Sequence, residues 1–225
     1  MHRACLCALA AWRLAAAAEA PYTLVQKLHA DDFTHGLGQW RIELEKPGAV
    51  AAKNGVLSID VPAGCTVWFR PELSGPVLIQ YEAAAIQAGG PHDRVSDLNA
   101  FWMATDATMV RSGKFADYNS LRTYYVGQGG NTNTTTRFRR YIGDPVLRPL
   151  LPEHDLGDPS VMLKPNVRQL IQLVAMGPRI QYWAAGRRIF DFNDPDPYTR
   201  GRFAFRTTQS HLEIRNFEVW RIEAK

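Results

Sequence analysis

RIQYWAAGRRIFDFNDPDPYTRGRFAFRTTQSHLEIRNFEVWRI, residues 179–222, holds four short apolar-rich runs, RIQYWA, RRIFDF, GRFAFRT and HLEIRNFEVWRI, parted by turn residues. In the last of them Leu212 and Ile214 alternate with His211, Glu213 and Arg215, the period of two that gives a strand one apolar and one polar face. The same grammar extends to the rest of the chain. NGVLSIDV places Val56, Leu57, Ile59 and Val61 after an Asn-Gly turn, and YTLVQKLHADDF, RIEL, GAVAAK, CTVWF, VLIQYEAAAI, NAFWMAT, LRTYYVG, TTTRFRRY and VRQLIQLVAM are further short runs bounded by Gly, Pro or Asn. Helical periodicity is absent. The pattern predicts an all-β protein, an antiparallel β-sandwich. One long Pro-rich segment between Ile142 and Pro165 interrupts it, and its Leu147, Leu150, Leu151 and Leu156 predict a packed loop that walls a cleft.

The 225 residues are 46% hydrophobic and 21% charged, ordinary globular composition for one domain with a substantial core. A pI of 9.0 raises the question of nucleic acid, but the charge is mixed along the chain with no run of five like charges, so a nucleic-acid partner is not expected. No segment after the N-terminus has the length of a membrane span. The start, MHRACLCALAAWRLAAAAEA, joins an early Arg3 to a small and apolar stretch and an Ala-Glu-Ala site. Residues 1–20 therefore read as a secretory signal and residues 21–225 as the domain, secreted or periplasmic, with a mis-assigned start codon or a cytosolic leader as the alternative. Removing Cys5 and Cys7 leaves Cys65 alone, with no internal disulfide and a buried apolar setting among Val61, Val67 and Phe69.

Chemistry concentrates in GKFADYNSLRTYYVGQGGNTNTTTRFRRY, residues 113–141, where five cations face the single acid Asp117. Alternation puts Arg122, Tyr124 and Val126 on one face of a strand, and Arg137, Arg139 and Tyr141 on one face of the next. Side by side, these would offer guanidinium forks and phenols to an anionic or polyhydroxylated ligand. β-Elimination on a uronate needs such groups: a cation or amide neutralises the carboxylate, and a Tyr or His removes the acidified proton. Arg122, Arg137 and Arg139 would hold the carboxylate, Tyr124 or His92 would take the proton, and Asn99, Asn131 and Asn133 would orient the sugar. The alternative is a solvated strand face.

In GGPHDRVSDLN, residues 89–99, the cluster His92, Asp93, Arg94, Asp97 and Asn99 is either a base beside carboxylates or a set of loop-holding turn formers. Glu153, His154 and Asp155 supply the second half of a hydrolase reading, in which Glu153 or Asp155 works with Asp93 or Asp97. Trp102, beside that polar loop, is the candidate sugar platform, and His211 a further candidate on its strand face. The oxygen-rich turn with Asp191, Asn193, Asp194 and Asp196 reads as a structural hairpin, with a structural calcium as the alternative. No His/Cys spacing suggests zinc, and no cofactor is called for.

Residues 179–222, ending in Ile214-Arg215-Asn216-Phe217-Glu218-Val219, resemble the closing strands of concanavalin A-like jelly rolls, and DDF, GLGQW and NGVLSID resemble their opening strands. The middle, from GGPHDRVSDLNAFWMATD to LLPEHD, resembles an uncharacterised family of secreted bacterial proteins associated with breakdown of polysaccharides, pectin and rhamnogalacturonan among them. The resemblance implies a jelly roll and an oligo- or polysaccharide partner, of acidic type. Jelly-roll lyases resemble this arrangement in carrying Arg, Gln or His, and Tyr on neighbouring strands. The chain departs from them in lacking a Gln-Ile-His or Tyr-Lys-x-Gly-x-Tyr motif, and from jelly-roll hydrolases in lacking Glu-x-Asp-x-Glu. The sequence reading is thus a polysaccharide lyase, with a glycoside hydrolase or a non-catalytic carbohydrate-binding module as alternatives.

Overall fold

The computed structural model describes residues 21–107 and 110–225. Residues 1–20, read above as a signal, and the cysteines Cys5 and Cys7 lie outside the described residues. In chain order the strands are β1 Tyr22–Asp31, β2 Trp40–Leu44, β3 Ala49–Lys53, β4 Val56–Val61, β5 Cys65–Phe69, β6 Leu73–Ser74, β7 Val77–Ala85, β8 Leu98–Ala104, β9 Arg122–Gly129, β10 Thr135–Ile142, β11 Asp155–Leu156, β12 Gln169–Met176, β13 Arg179–Ala184, β14 Arg187–Asn193, β15 Arg200–Thr207 and β16 Ser210–Ala224. They form two antiparallel sheets. The back sheet runs β14-β13-β12-β7-β16-β4-β3 with β1 alongside β16, and the front sheet runs β11-β10-β9-β8-β15-β5-β2 with β6 on β15. Among the described residues no helix is long and apolar enough to cross a membrane.

The inner faces carry the alternate apolar residues that the period of two demands: Leu57, Ile59 and Val61 from β4, Leu212 and Ile214 from β16, Phe203 and Phe205 from β15. Trp40 sits at the centre of an aromatic group, its ring 5.1 Å from Phe205 and 5.0 Å from Phe217, while its indole N–H donates to Asp31 at 2.8 Å. Truncating it to Ala would cost about 3–5 kcal/mol through the void it leaves.

Two front-sheet strands break the alternation. β5 and β8 are buried at every position, because their outer face is also covered. Tyr118 and Leu121, with Phe115 beside them, pack across Trp68, Phe101, Tyr125 and Tyr141, a second aromatic layer outside the sandwich core. β8 ends in a bulge, with Met103 at φ 53°, and Gly201 lies against it. A side chain at Gly201 would begin 2.3 Å from the Met103 carbonyl carbon, so only glycine lets β15 pass.

The segment after Ile142 is less irregular than its prolines suggest. Asp155 and Leu156 add the short edge strand β11, and Val161 and Leu163 are buried. Of the four leucines expected to pack as a cleft wall, Leu156 lies against the core and Leu151 joins Pro149, Phe138, Arg140, Ile142, His154 and Phe192 around a cavity of about 200 Å³, whereas Leu147 is exposed. Asp194 is turned inward to Tyr124 and Arg140, and Asp191 pairs with Arg179 and Arg188, so these acids do not converge on one point. Among the described residues no group of three or more His, Cys, Asp or Glu is placed to hold a metal.

Candidate functional site

Strand phase decides which of the sequence candidates reach a surface. On β9 the inward face is that of Tyr124 and Val126, the reverse of the expectation that Tyr124 lines a groove. Tyr124 is fully buried, donates to Asp194 Oδ2 at 2.7 Å and accepts from the Tyr198 N–H at 3.0 Å. Burial, and then the Asp194 carboxylate, hold its phenol well above the ordinary range, so it has no access to substrate and a poor disposition to act as a base. Trp102 is also fully buried, against Tyr124 and Phe138, and is not a sugar platform. His154 packs edge-on to Phe138, Phe190 and Phe192 on the cavity wall, where burial lowers its pKa and keeps the imidazole neutral.

Other candidates are dispersed. Arg122 is exposed at the start of β9, with its stem against Gly143, and Glu153 is exposed in the short turn Pro152–His154. Asn131 and Asn133 adopt left-handed backbone angles in the β9–β10 turn. Asn133 is spent on the Leu163 backbone, donating to its carbonyl and accepting from its N–H at 2.9 Å each. His92 lies on the back sheet, Nδ1 to Asp60 at 2.8 Å, and Asp93 lies there too, against His211 at 2.9 Å. Asp97 is held by Arg94, Ser96 and Thr208, and Asp155 takes both prongs of Arg137 at 2.7 and 3.1 Å. The carboxylates that a hydrolase would pair are therefore each committed elsewhere, on different elements.

What does assemble is on the outer face of the front sheet. Register aligns one cross-strand row as Glu43, Thr66, Arg206, Asn99, Gly127, Arg137 and Asp155, and the next as Arg41, Trp68, Ala204, Phe101, Tyr125 and Arg139. Asn99, Arg137 and Arg139 were legible as candidates; Arg206, Gly127 and Tyr125 were not singled out. The signal for Arg206 was present, since in GRFAFRT the inward Phe203 and Phe205 force Arg206 outward.

Arg206 is 1% exposed. Its Nη1 donates to Thr66 Oγ1 at 2.9 Å and to the Gly113 carbonyl at 2.6 Å, and its guanidinium lies 4.8 Å over the Tyr118 ring. Those contacts fix the plane of the group. Its Nε and Nη2, the edge that Arg137 uses to grip Asp155, have no partner among the described residues, nor has Asn99 Oδ1 beside it. Buried polar atoms are nearly always satisfied, so two orphaned groups on adjacent strands point to something that completes them. Next in the row, Gly127 is buried and lets the Tyr125 phenol lie across the strand: a Cβ there would fall 2.6 Å from the Tyr125 hydroxyl and 3.2 Å from Asn99 Oδ1, so both atoms stand over the glycine. Burial raises the Tyr125 phenol well above its ordinary pKa, which makes it a hydrogen-bond donor at any ordinary pH. Glu43, at the far end, is closed off by Trp68 and Tyr118, which donate to it at 2.9 and 2.7 Å.

Residues 59–217 match the DUF6250 family, described as a domain of unknown function. The chain belongs to the DUF6250 family. No curated protein matches it significantly. Among solved structures, this DUF6250 domain is similar to a protein of unknown function with a galectin-like fold from Bacillus subtilis, with a TM-score of 0.71 at 15% identity over 91% of this chain and 100% of that one. It is similar also to the carbohydrate-binding module CBM66 from Bacillus subtilis, TM-score 0.57 at 10% identity over 82% and 96% of the two chains. β-Agarase B from Zobellia galactanivorans superposes with a TM-score of 0.57 at 9% identity over 92% and 97%. What the DUF6250 domain shares with these proteins is the fold, the antiparallel jelly-roll sandwich of concanavalin A-like proteins.

Proposed function

We propose that this DUF6250 domain is a carbohydrate-recognition domain, exported from the cell, that binds an acidic glycan of the uronate-bearing kind found in pectins on the outer face of its front sheet. The observation that carries the reading is a pair of buried, unpartnered groups on register-paired residues of adjacent strands, Arg206 Nε and Nη2 and Asn99 Oδ1, with the Tyr125 hydroxyl and Asn99 Oδ1 both standing over Gly127. A carboxylate accepts two parallel N–H bonds from that edge, a sugar hydroxyl donates to Asn99, and the Tyr125 phenol donates to a ring or hydroxyl oxygen. From Arg206 to Arg137 the row crosses three strand spacings, roughly 14 Å, a length suited to a short oligosaccharide. Arg139 borders the far end of the site and adds positive charge there, beside an Arg137 already neutralised by Asp155. The carbohydrate-binding and agarase neighbours support a glycan ligand on this type of sandwich.

Recognition is favoured over β-elimination because the phenol available on this face, Tyr125, is pushed up in pKa and unsuited to abstracting a proton. It is favoured over hydrolysis because the nearby carboxylates are tied to Arg94, Arg137, Trp68 and Tyr118. The test is affinity electrophoresis and calorimetry with polygalacturonate against neutral polymers, with ultraviolet absorbance and reducing ends followed in parallel. Retention by the acidic polymer with neither signal, lost in Arg206→Met, is the expected result. New absorbance at the unsaturated uronate band would replace recognition with elimination, and retention that Arg206→Met leaves intact would refute the site.

A further inference from the structure

On the opposite face of the molecule, away from the front-sheet row, a hydroxyl, an imidazole and a carboxylate stand in series. Ser58 on β4 and His211 on β16 belong to paired strands of the back sheet, where His211 is opposite Asp60 and Ser58 opposite Glu213. Ser58 Oγ lies 3.2 Å from His211 Nε2, and His211 Nδ1 lies 2.9 Å from Asp93 Oδ1. Asp93 accepts backbone N–H bonds from Ala88 and Gly90 on its other oxygen. Those two N–H groups, with a smaller contribution from His211, hold its carboxyl below the ordinary range, so it is an anion. The anion dictates the tautomer: Nδ1 carries the proton toward Asp93, and Nε2 presents its lone pair to the Ser58 hydroxyl. The Asp93 side chain is 4% exposed and that of His211 22%, and Ser58 is half-buried.

We propose that Ser58 is a nucleophile activated by His211, with Asp93 as the positioning residue, and that the patch hydrolyses short-chain carboxylic esters. A serine, a base within hydrogen-bond reach and a third group orienting the base are the parts required, recognised by geometry and not by chain order. Ser58 Oγ attacks the ester carbonyl carbon as its proton passes to His211 Nε2. The tetrahedral species expels the alkoxide, which takes that proton and leaves as the alcohol. Water then attacks the acyl-serine, giving one proton to His211, and the carboxylic acid departs as Ser58 recovers its hydrogen. The acyl group is short because the floor is flat: Ala51 flanks Ser58 on β3, and Ala84 flanks Glu213 on β7 in the same row. Glu213 itself is engaged by Arg168 at 3.3 Å. His92 brings a second imidazole to the same face, its Nδ1 2.8 Å from Asp60.

The experiment treats the full chain with a fluorophosphonate probe and, separately, with p-nitrophenyl acetate. The expected result is a single adduct on the peptide bearing Ser58, and nitrophenol release above the solvent rate. Both disappear in Ser58→Ala and in His211→Asn, whose melting temperatures and near-ultraviolet circular dichroism stay with the parent. Asp93→Asn is expected to slow labelling at least tenfold while Ser58 remains the labelled residue. Absence of an adduct on Ser58 in the parent protein, or an adduct and esterase rate that persist in Ser58→Ala, overturns the assignment. Should His211→Asn unfold, His211→Gln is labelled in its place, and retained labelling of a folded variant refutes the relay.

Discussion

Gly127→Ala isolates the placing of the Tyr125 phenol and Asn99 on which the glycan reading rests. The glycine has an ordinary strand backbone, so alanine is allowed by φ, and the whole effect comes from the added methyl. That methyl would sit 2.6 Å from the Tyr125 hydroxyl and 3.2 Å from Asn99 Oδ1. Tyr125 cannot swing aside freely, wedged as it is against Phe101 at 5.4 Å and Tyr141 at 5.5 Å. Overpacking of this sort costs about 1–3 kcal/mol, and removing glycine from a strand returns about 0.5–1 kcal/mol, for a net loss of about 0–2.5 kcal/mol. For a domain of this size that lowers the melting temperature by no more than roughly 10 °C. Binding should fall further, because the methyl displaces the phenol and crowds Asn99 Oδ1. Two lost hydrogen bonds at about 0.5–1.5 kcal/mol each weaken binding roughly 5- to 150-fold. Calorimetric titration with uronate oligosaccharides below the melting transition measures it, with Gly38→Ala, where the methyl meets nothing within 4 Å, as control. A folded Gly127→Ala protein that binds as tightly as the parent would sink the reasoning, since that placing would then be irrelevant to the ligand.

Further outcomes follow from the same contacts. Tyr124→Phe should leave glycan binding unchanged and lower stability by about 1–3 kcal/mol, read by denaturant melts, because the buried Asp194 loses a donor and the Tyr198 N–H its acceptor. The Asp93 carboxyl is depressed in the folded state, so its contribution to stability is complete above its unfolded value of about 4 and is lost as pH falls through the lower folded value. In nuclear magnetic resonance titrations, the Ala88 and Gly90 amide shifts should move with a midpoint below about 4, and a midpoint at or above that value would contradict the bonds drawn to them. Burial pushes the Cys65 thiol up to about 12, so it should react with a thiol reagent only as fast as the protein unfolds, and rapid labelling of the native state would show that β5 is less enclosed than described.

Much of this architecture was legible because a sheet writes its period into the chain. LRTYYVG and TTTRFRRY became β9 and β10, and HLEIRNFEVWRI became β16 with His211, Glu213 and Arg215 on one face, as alternation requires. Arg137, Arg139 and Tyr141 do share a face. The site was only partly legible because the partners that use up a side chain come from distant elements. Asp155 occupies Arg137 from 18 residues away, Leu163 occupies Asn133 from 30, and Asp194 draws Tyr124 inward from 70. No local pattern records those separations.

The amino-acid order on its own determined a two-layer antiparallel sandwich, since strand length, period and turn chemistry are local properties fixed within a few residues. Which of two adjacent tyrosines faces the core, Tyr124 or Tyr125, was settled only when the sheets packed, because a shift of one residue in strand phase exchanges the two faces and both carry an aromatic ring. The covering of the front sheet by residues 110–121, the placing of the Tyr125 phenol and Asn99 over Gly127 and the meeting of Ser58, His211 and Asp93 likewise belong to the tertiary structure, where chain segments far apart in order are brought together.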